Sequence, residues 1–356
     1  MKQGNPIAKT AIRVGIAVLI ILAAAIAAFF ILRSVGKSSL YKDYAKPKLT
    51  VSTKELEAEA IEAYEDDGTI TYNGNKYRYN EDILTFLIIG VDSLKKLPKA
   101  EEVTDYTKGG QADALFLAII NPHTEEIEVV AINRDSLAEV DVYDSDGNFI
   151  ETEMLQICLQ HGFGSGLEDS CERQVKAVSH LFFDIPINGY LSMNMAAIPI
   201  MNDAVGFVTV TSLENIPLGS KSLAKGEGTE ITLEGMDSYY YLKYRDTKVF
   251  NSSSMRLARQ RQYIEAFSKK IVECTKNDVS FPLKLLSELS DYMVTDISTD
   301  EVTYLVSSCI GYTFNKDDIY TLSGETKENS AGYEEFTVDD DALYDLIIQL
   351  FYEKVE

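Results

Sequence analysis

Four short pieces of the chain carry the residue types that handle phosphorylated ligands. Gly90-Val91-Asp92-Ser93, Gln111-Ala112-Asp113 and Asn133-Arg134-Asp135 supply carboxylates and a guanidinium. Lys243-Tyr244-Arg245-Asp246, followed by Met255-Arg256-Leu257-Ala258-Arg259-Gln260, supplies the cations. Four of the six arginines after Asn80 crowd between Arg245 and Arg261, in a chain of net charge −23. Clustered guanidinium forks in an acidic protein suggest an anion pocket, because each fork matches a pair of phosphate oxygens. Asp92 and Asp113 are the acidic half of the pattern. Mg²⁺ binds through one or two carboxylates plus substrate phosphates, so Mg²⁺ on Asp92 and Asp113 is the expected cofactor. The competing account makes both aspartates turn residues or helix caps. Metal, phosphate and arginine together describe phosphoryl-type chemistry, in which positioning and charge neutralisation do most of the catalysis.

The elements that must position these residues are legible as apolar runs. Residues 83–89, ended by Gly90, then 114–120, then 127–132 read as strands buried on both faces. Asp92 follows the first and Asp113 precedes the second, so antiparallel pairing of the two would bring both carboxylates to one edge of the sheet. Arg134-Asp135 ends the third strand at a comparable position. Residues 173–183 and 195–205 have helical spacing and 206–210 reads as a strand. Helices alternating with buried strands predict an α/β layered domain, a central mixed β-sheet flanked by helices. A tyrosine-rich helix is expected over 235–244. A longer one begins near Ser254, with Ser252, Ser253 or Ser254 as N-cap and Leu257, Ile264, Phe267, Ile271 and Cys274 on its core stripe. Its first turns hold Arg256 and Arg259 where the macrodipole is already positive, an arrangement that costs up to ~1 kcal/mol for each cation. An anion in front of the helix removes that conflict. The alternative is pairing with surface carboxylates, and Lys243 and Arg261 are assigned to it.

Along the whole chain, 1–13 is a short basic cytoplasmic tail and 14–32 an uncharged stretch matching the ~20 apolar residues of one transmembrane helix. A signal peptide is the competing reading, but the run is longer than its usual ~7–15-residue apolar core. Residues 33–80 form an extracellular stalk with a helix over 53–64 and a hairpin around Asn73-Gly74. Residues 81–275 are the main domain, and 276–356 an acidic, mainly helical C-terminal extension without chemistry, with helices near 282–293 and 340–352. The expected location is the cell membrane, single-pass, with the main domain outside, because long domains cross largely regardless of charge. Cys158 and Cys171 bracket a loop that a disulfide could close, or all four cysteines are buried thiols. No CxxC spacing points to zinc. His161 and Gly162-Phe163-Gly164-Ser165-Gly166 are read as an ordinary loop, since no buried strand precedes the glycines. Nucleic acid is excluded as a partner by the net charge.

The ordered set resembles the LytR-CpsA-Psr proteins of bacterial cell envelopes. Their pattern runs Gly-x-Asp, Arg-Ser-Asp-Thr, Pro-Arg-Asp, Tyr-x-Arg-x-Arg and Gly-Arg-x-x-Arg-Gln. It is met here by Gly90-Val91-Asp92, Gln111-Ala112-Asp113-Ala114, Asn133-Arg134-Asp135, Tyr241-Leu242-Lys243-Tyr244-Arg245 and Met255-Arg256-Leu257-Ala258-Arg259-Gln260, over roughly residues 84–270. Gln111 stands at an arginine position and Asn133 at the proline, and Leu94 and Met154 stand where basic residues are common. The resemblance implies a phosphotransferase that moves a glycopolymer from a polyprenyl pyrophosphate carrier to peptidoglycan with Mg²⁺. It implies Asp92, Arg134 and Asp135 as catalytic residues, with either aspartate as base, and Asp92 and Asp113 as metal ligands. Gln111, Arg134, Arg245, Arg256, Arg259 and Gln260 would hold the donor. The prenyl chain would lie in an apolar tunnel lined by 195–205 and 264–271, which otherwise are plain core. A pyrophosphatase using the same site, or a non-catalytic lipid-binding surface protein of the same fold, are the alternatives.

Overall fold

The three apolar runs pair as their sequence requires. In the computed structural model, which describes residues 24–42, 61–64, 69–218, 223–246 and 248–355, strand Leu84–Val91 lies antiparallel to Ala112–Asn121, and that strand antiparallel to Glu126–Ile132. Gly189–Asn194 runs parallel to Leu84–Val91, with Met293–Thr295 beyond it; Ile319–Thr321 runs parallel to Glu126–Ile132 at the other edge. The sheet is therefore mixed and six-stranded. Side chains alternate across it. Leu87, Ile89, Leu115 and Leu117 share one face with Ala177 and Val178 of helix Glu168–Leu181, with Phe182 that caps it, and with Tyr344, Ile347 and Phe351 of helix Asp340–Phe351. Ile88, Phe116 and Ala118 face the other way, against Leu257 and Ile264 of helix Ser252–Asn277. Helices on both faces explain why these strands read as continuous apolar runs. Each fully buried Leu or Ile contributes about 1.5–3 kcal/mol.

Helices Glu168–Leu181, Ala197–Ala204 and Met236–Lys243 fall where the spacing predicts them. The hairpin Thr69–Tyr72 and Asn75–Tyr79 forms about Asn73 (φ 50°) and Gly74 (φ 71°), the left-handed pair that a two-residue turn demands. Ile61–Tyr64, the end of the expected stalk helix, is instead a strand paired with Thr69–Tyr72. Residues 53–60, the rest of that expected helix, lie outside the described residues.

The C-terminal stretch departs most from expectation. Besides helices Phe281–Leu289, Thr299–Cys309 and Asp340–Phe351 it holds the sheet-edge strand Ile319–Thr321 and a hairpin, Gly324–Glu328 with Glu334–Val338. It ends in strand Tyr352–Val355, which pairs with Asn75–Tyr79. Strands of three to five residues show too few alternations to be read from periodicity.

The chain divides into two units. In the described part of the smaller, helical residues 24–40 meet helix Thr299–Cys309, with Arg33 donating to Ser307 and Ser308. The larger contains the sheet, its helices and the C-terminal strands. Most of 14–32 lies outside the described residues, and among the described residues no helix is long and apolar enough to cross a membrane. All four cysteines are free thiols, Cys158 and Cys171 both buried.

Candidate active site

Strand direction alone gathers three of the four motifs. Antiparallel pairing sets Val91 opposite Ala112, and the Asp92 amide donates to the Gln111 carbonyl at 3.4 Å. Asp92 and Asp113 thus sit at one edge of the sheet. The next antiparallel step sets Ile132 opposite Leu115, so Asn133-Arg134-Asp135 leaves the sheet at the same edge. The loop entering this edge is pinned by His161, buried at 1% exposure, whose Nδ1 meets the Gly110 carbonyl oxygen at 3.0 Å. Gly109 packs so closely there that a Cβ would stand 2.3 Å from the His161 carbonyl oxygen. Only glycine fits. His161, which sequence alone leaves as a loop residue, is a positioning residue for Gln111 and Asp113.

The fourth motif arrives on the long helix. Asp113 accepts from Arg134 through Oδ1 and from Arg256 Nη1 through Oδ2, the latter at 3.2 Å. Arg134 Nη2 also donates to Gln111 Oε1 at 2.6 Å and to Cys158 Sγ at 3.0 Å, and its Nε lies 3.3 Å from Asp135 Oδ1. Arg134 Nε faces Asp135 without hydrogen-bond geometry, and Arg256 Nη2 is buried without a hydrogen-bond partner, so Arg256 holds a donor in reserve. Asp135 accepts from Ser253 Oγ at 2.5 Å and from Gln156 Nε2 at 3.3 Å. Arg245 meets Glu334 at 2.8 Å and Ser252 Oγ at 2.9 Å. Lys243 pairs with Asp92 at 2.8 Å. Arg259 is turned elsewhere, onto Glu214 and the carbonyl oxygens of Tyr241 and Tyr244, and Gln260 is buried beside it.

Electrostatics follow from burial. Desolvation lowers the Arg256 pKa, with Asp113 opposing and the neighbouring charges of Arg134 and Arg245 assisting. Arg134 is pulled down by burial, but its carboxylate and thiol neighbours outweigh that and its pKa rises. The Cys158 thiol is pushed up to about 11 by burial, so it is neutral near pH 7 and the negative charge facing Arg134 comes from Asp113 and Asp135. Lys243, Arg134, Arg245, Arg256 and Arg259 are matched one for one by Asp92, Asp135, Glu334, Asp113 and Glu214. The pocket is close to electroneutral. Among the described residues no three His, Cys, Asp or Glu side chains cluster as a metal centre. Asp92 and Asp113 bring to one sheet edge the hard carboxylate oxygens that Mg²⁺ takes together with water and phosphate, with both Asp113 oxygens engaged by Arg134 and Arg256 and Asp92 Oδ1 by Lys243. A cavity of about 300 Å³ is lined by Glu214, Tyr244, Arg245, Asp246, Val249 and Arg259 among others, so of the expected donor-binding residues it is Arg245 and Arg259 that border it.

The structure therefore brings together Gln111, Asp113, Arg134, Asp135 and Arg256, and sets Arg245 and Asp92 at their margin through Glu334 and Lys243. Arg259 borders the cavity with its guanidinium tied to Glu214 and to two carbonyl oxygens, and Gln260 is buried beside it. Lys243, assigned above to surface pairing, instead holds Asp92, and it occupies the first arginine position of Tyr-x-Arg-x-Arg, which was the signal available. Ser253, Gln156 and Glu334 carried none.

A model of the LytR_cpsA_psr family matches residues 47–350. The chain is 26% identical over 225 residues to the polyisoprenyl-teichoic acid–peptidoglycan teichoic acid transferase TagU of Enterococcus faecalis, covering 63% of this chain and 64% of that protein. It is 27% identical over 277 residues to TagU of Bacillus licheniformis, covering 76% and 78%. Among solved structures, TagV of B. subtilis shares the fold with a TM-score of 0.57 and 19% identity, over 75% of this chain and 95% of that one. TagT bound to LI-WTA aligns with a TM-score of 0.54 and 19% identity, over 76% and 89%.

Proposed function

The chain belongs to the LytR_cpsA_psr family, and from that premise we propose that it is a membrane-anchored, Mg²⁺-dependent phosphotransferase that attaches a glycopolymer, carried on polyprenyl pyrophosphate, to peptidoglycan. One observation carries the reading: Asp113 holds two guanidiniums, the part-buried Arg134 and the buried Arg256, the latter with an unpartnered N–H, at a sheet edge shared with Asp92. A pyrophosphate would offer oxygens to these guanidiniums. Gln111, standing where the family pattern has arginine, orients Arg134 by accepting from it. Transferase activity on teichoic acid is named for relatives such as the two TagU proteins.

In the proposed reaction a muramic acid hydroxyl of peptidoglycan attacks the phosphorus linked to the glycan. A new P–O bond forms, the bond to the polyprenyl phosphate breaks, and polyprenyl phosphate leaves. Arg134 and Arg256 hold the phosphate oxygens as charge shifts to the leaving group. The hydroxyl proton goes to Asp92: Asp135 is 3% exposed and engaged by Ser253, whereas the Asp92 side chain is 38% exposed. Mg²⁺ on Asp92 and Asp113 would supply the positive charge that a nearly neutral pocket lacks for a dianionic donor. Anchoring by residues 14–32 would keep the site near its lipid-linked substrate.

The test incubates the full chain with a polyprenyl-pyrophosphate-linked glycan, peptidoglycan and Mg²⁺. Polymer fixed to peptidoglycan supports the reading, and free phosphorylated glycan would mean hydrolysis instead. Arg134→Ala leaves Asp113 paired with Arg256, so the fold persists while transfer falls by roughly 10²–10³-fold. Normal transfer by the folded variant overturns the proposal. A chelator should abolish turnover, and Mg²⁺ should restore it.

A further inference from the structure

Glu334 lies on the C-terminal hairpin, far in sequence from every motif. Its side chain is 11% exposed; Oε2 accepts from Arg245 Nη2 and Oε1 from the Asn251 backbone amide, both at 2.8 Å. Asn251 is the residue before helix Ser252–Asn277. A guanidinium beside a helix start is where an external anion binds, and here a carboxylate of the protein fills that place. The backbone around Glu334 is fixed to the catalytic edge: Gln156 Nε2 donates to the Glu334 carbonyl at 2.7 Å, and the Phe336 amide to the Asp135 carbonyl at 2.8 Å. The carboxylate is thus held in position, while its two bonds are of the kind a phosphate can replace.

We infer that Glu334 is a built-in competitor for the donor's phosphate and sets the discrimination between pyrophosphate and monophosphate. Without donor it neutralises Arg245 and closes the helix start. A pyrophosphate, held also by Arg134 and Arg256, takes Arg245 from it. A monophosphate, with fewer oxygens and less charge, competes poorly, so the polyprenyl phosphate left after transfer is expelled as Glu334 returns. The inference rests on the pyrophosphate reading of the site and adds to it the residue that governs selectivity.

Glu334→Gln separates charge from shape, because the amide oxygen still accepts from Asn251 while the attraction to Arg245 is lost. Calorimetric titration of the full chain with inorganic phosphate and with inorganic pyrophosphate, in Mg²⁺, is the experiment. Phosphate should bind the variant about tenfold more tightly than it binds the wild type, with a smaller gain for pyrophosphate, so the preference narrows. A purely structural clasp would give unchanged or weaker binding, and either result overturns the inference. A second measurement needs no variant: hydrogen exchange at the Asn251 amide of the wild type should quicken when pyrophosphate is added, and unaltered exchange counts against displacement. If pyrophosphate binds wild type and is lost in Arg134→Ala but ignores Glu334→Gln, only this inference fails. If neither wild type nor Glu334→Gln binds it, the reading of the site fails and the competitor role falls with it.

Discussion

Asp113 is the hinge of the site because it pairs with two guanidiniums, the part-buried Arg134 and the buried Arg256. Replacing it by alanine leaves Arg134 and Arg256 in a desolvated place without their shared counter-charge. We expect Asp113→Ala to lose about 3–5 kcal/mol of unfolding free energy in urea titrations. Asp92→Asn removes an ion pair with half-exposed Lys243 and should cost under about 1 kcal/mol in the same assay, yet abolish transfer. Comparable stability losses in the two variants would contradict this division between a structural and a reactive carboxylate. At this scale the sequence exposes what strand ends carry: Asp92, Asp113 and Arg134-Asp135 each follow or precede an apolar run, so their meeting is a consequence of pairing direction. It hides partners that approach through space. Lys243 and Glu334 reach Asp92 and Arg245 from distant segments; the motif position of Lys243 hints at its place, but no local pattern marks which glutamate will meet Arg245.

The long helix explains why its own pattern misleads. Arg256, Arg259, Gln260 and Tyr263 are all buried and recur at the i, i+3, i+4, i+7 spacing normally filled by apolar residues. Leu257 and Ile264, on a neighbouring stripe, pack on the sheet, while Phe267 and Ile271 pack against other elements. The polar stripe and the stripe of Leu257 and Ile264 run side by side through the first turns, and Phe267 and Ile271 extend the line of Tyr263 toward the far end, so one helix carries both the site arginines and its own anchoring residues. The N-cap differs from the three serines offered by sequence: Asn251 takes it with φ 62°. That left-handed backbone suits asparagine or glycine and strains a β-branched residue. Asn251→Gly should leave the melting temperature nearly unchanged, whereas Asn251→Val should destabilise by about 1–2 kcal/mol. Equal effects would mean that the backbone there is not constrained. The short strands Ile319–Thr321 and Tyr352–Val355 were beyond sequence reading because pairing partners, not periodicity, define them.

Across the larger unit, His123 ties together pieces of chain that sequence places far apart. Its Nε2 contacts Asp82 at 2.9 Å and its Nδ1 contacts Glu353 at 2.8 Å, while Asn80 also donates to Glu353. Hydrogen bonds to Glu353, then to Asp82, raise its pKa above the ordinary 6.5. The folded value exceeds the unfolded one, so the clasp contributes fully below about pH 6.5 and fades as pH climbs through the raised value. His123→Gln should therefore melt below wild type at pH ~5.5 and with it at pH ~9. The difference will be small, since the group is half exposed and screened; an equal deficit at both pH values refutes the clasp. Net charge and the uncharged stretch 14–32 were the features of the whole chain legible from composition, whereas the closure of the fold by its C-terminal residues was not. That closure has a consequence for biogenesis. Tyr352–Val355 completes the sheet begun by Thr69–Tyr72 and Asn75–Tyr79, so a nascent polypeptide leaving the ribosome carries Asn75–Tyr79 as an open edge until Tyr352–Val355 emerges. Stalled or clipped products will expose that edge as a template for aggregation, and quality-control proteases will meet them in this state.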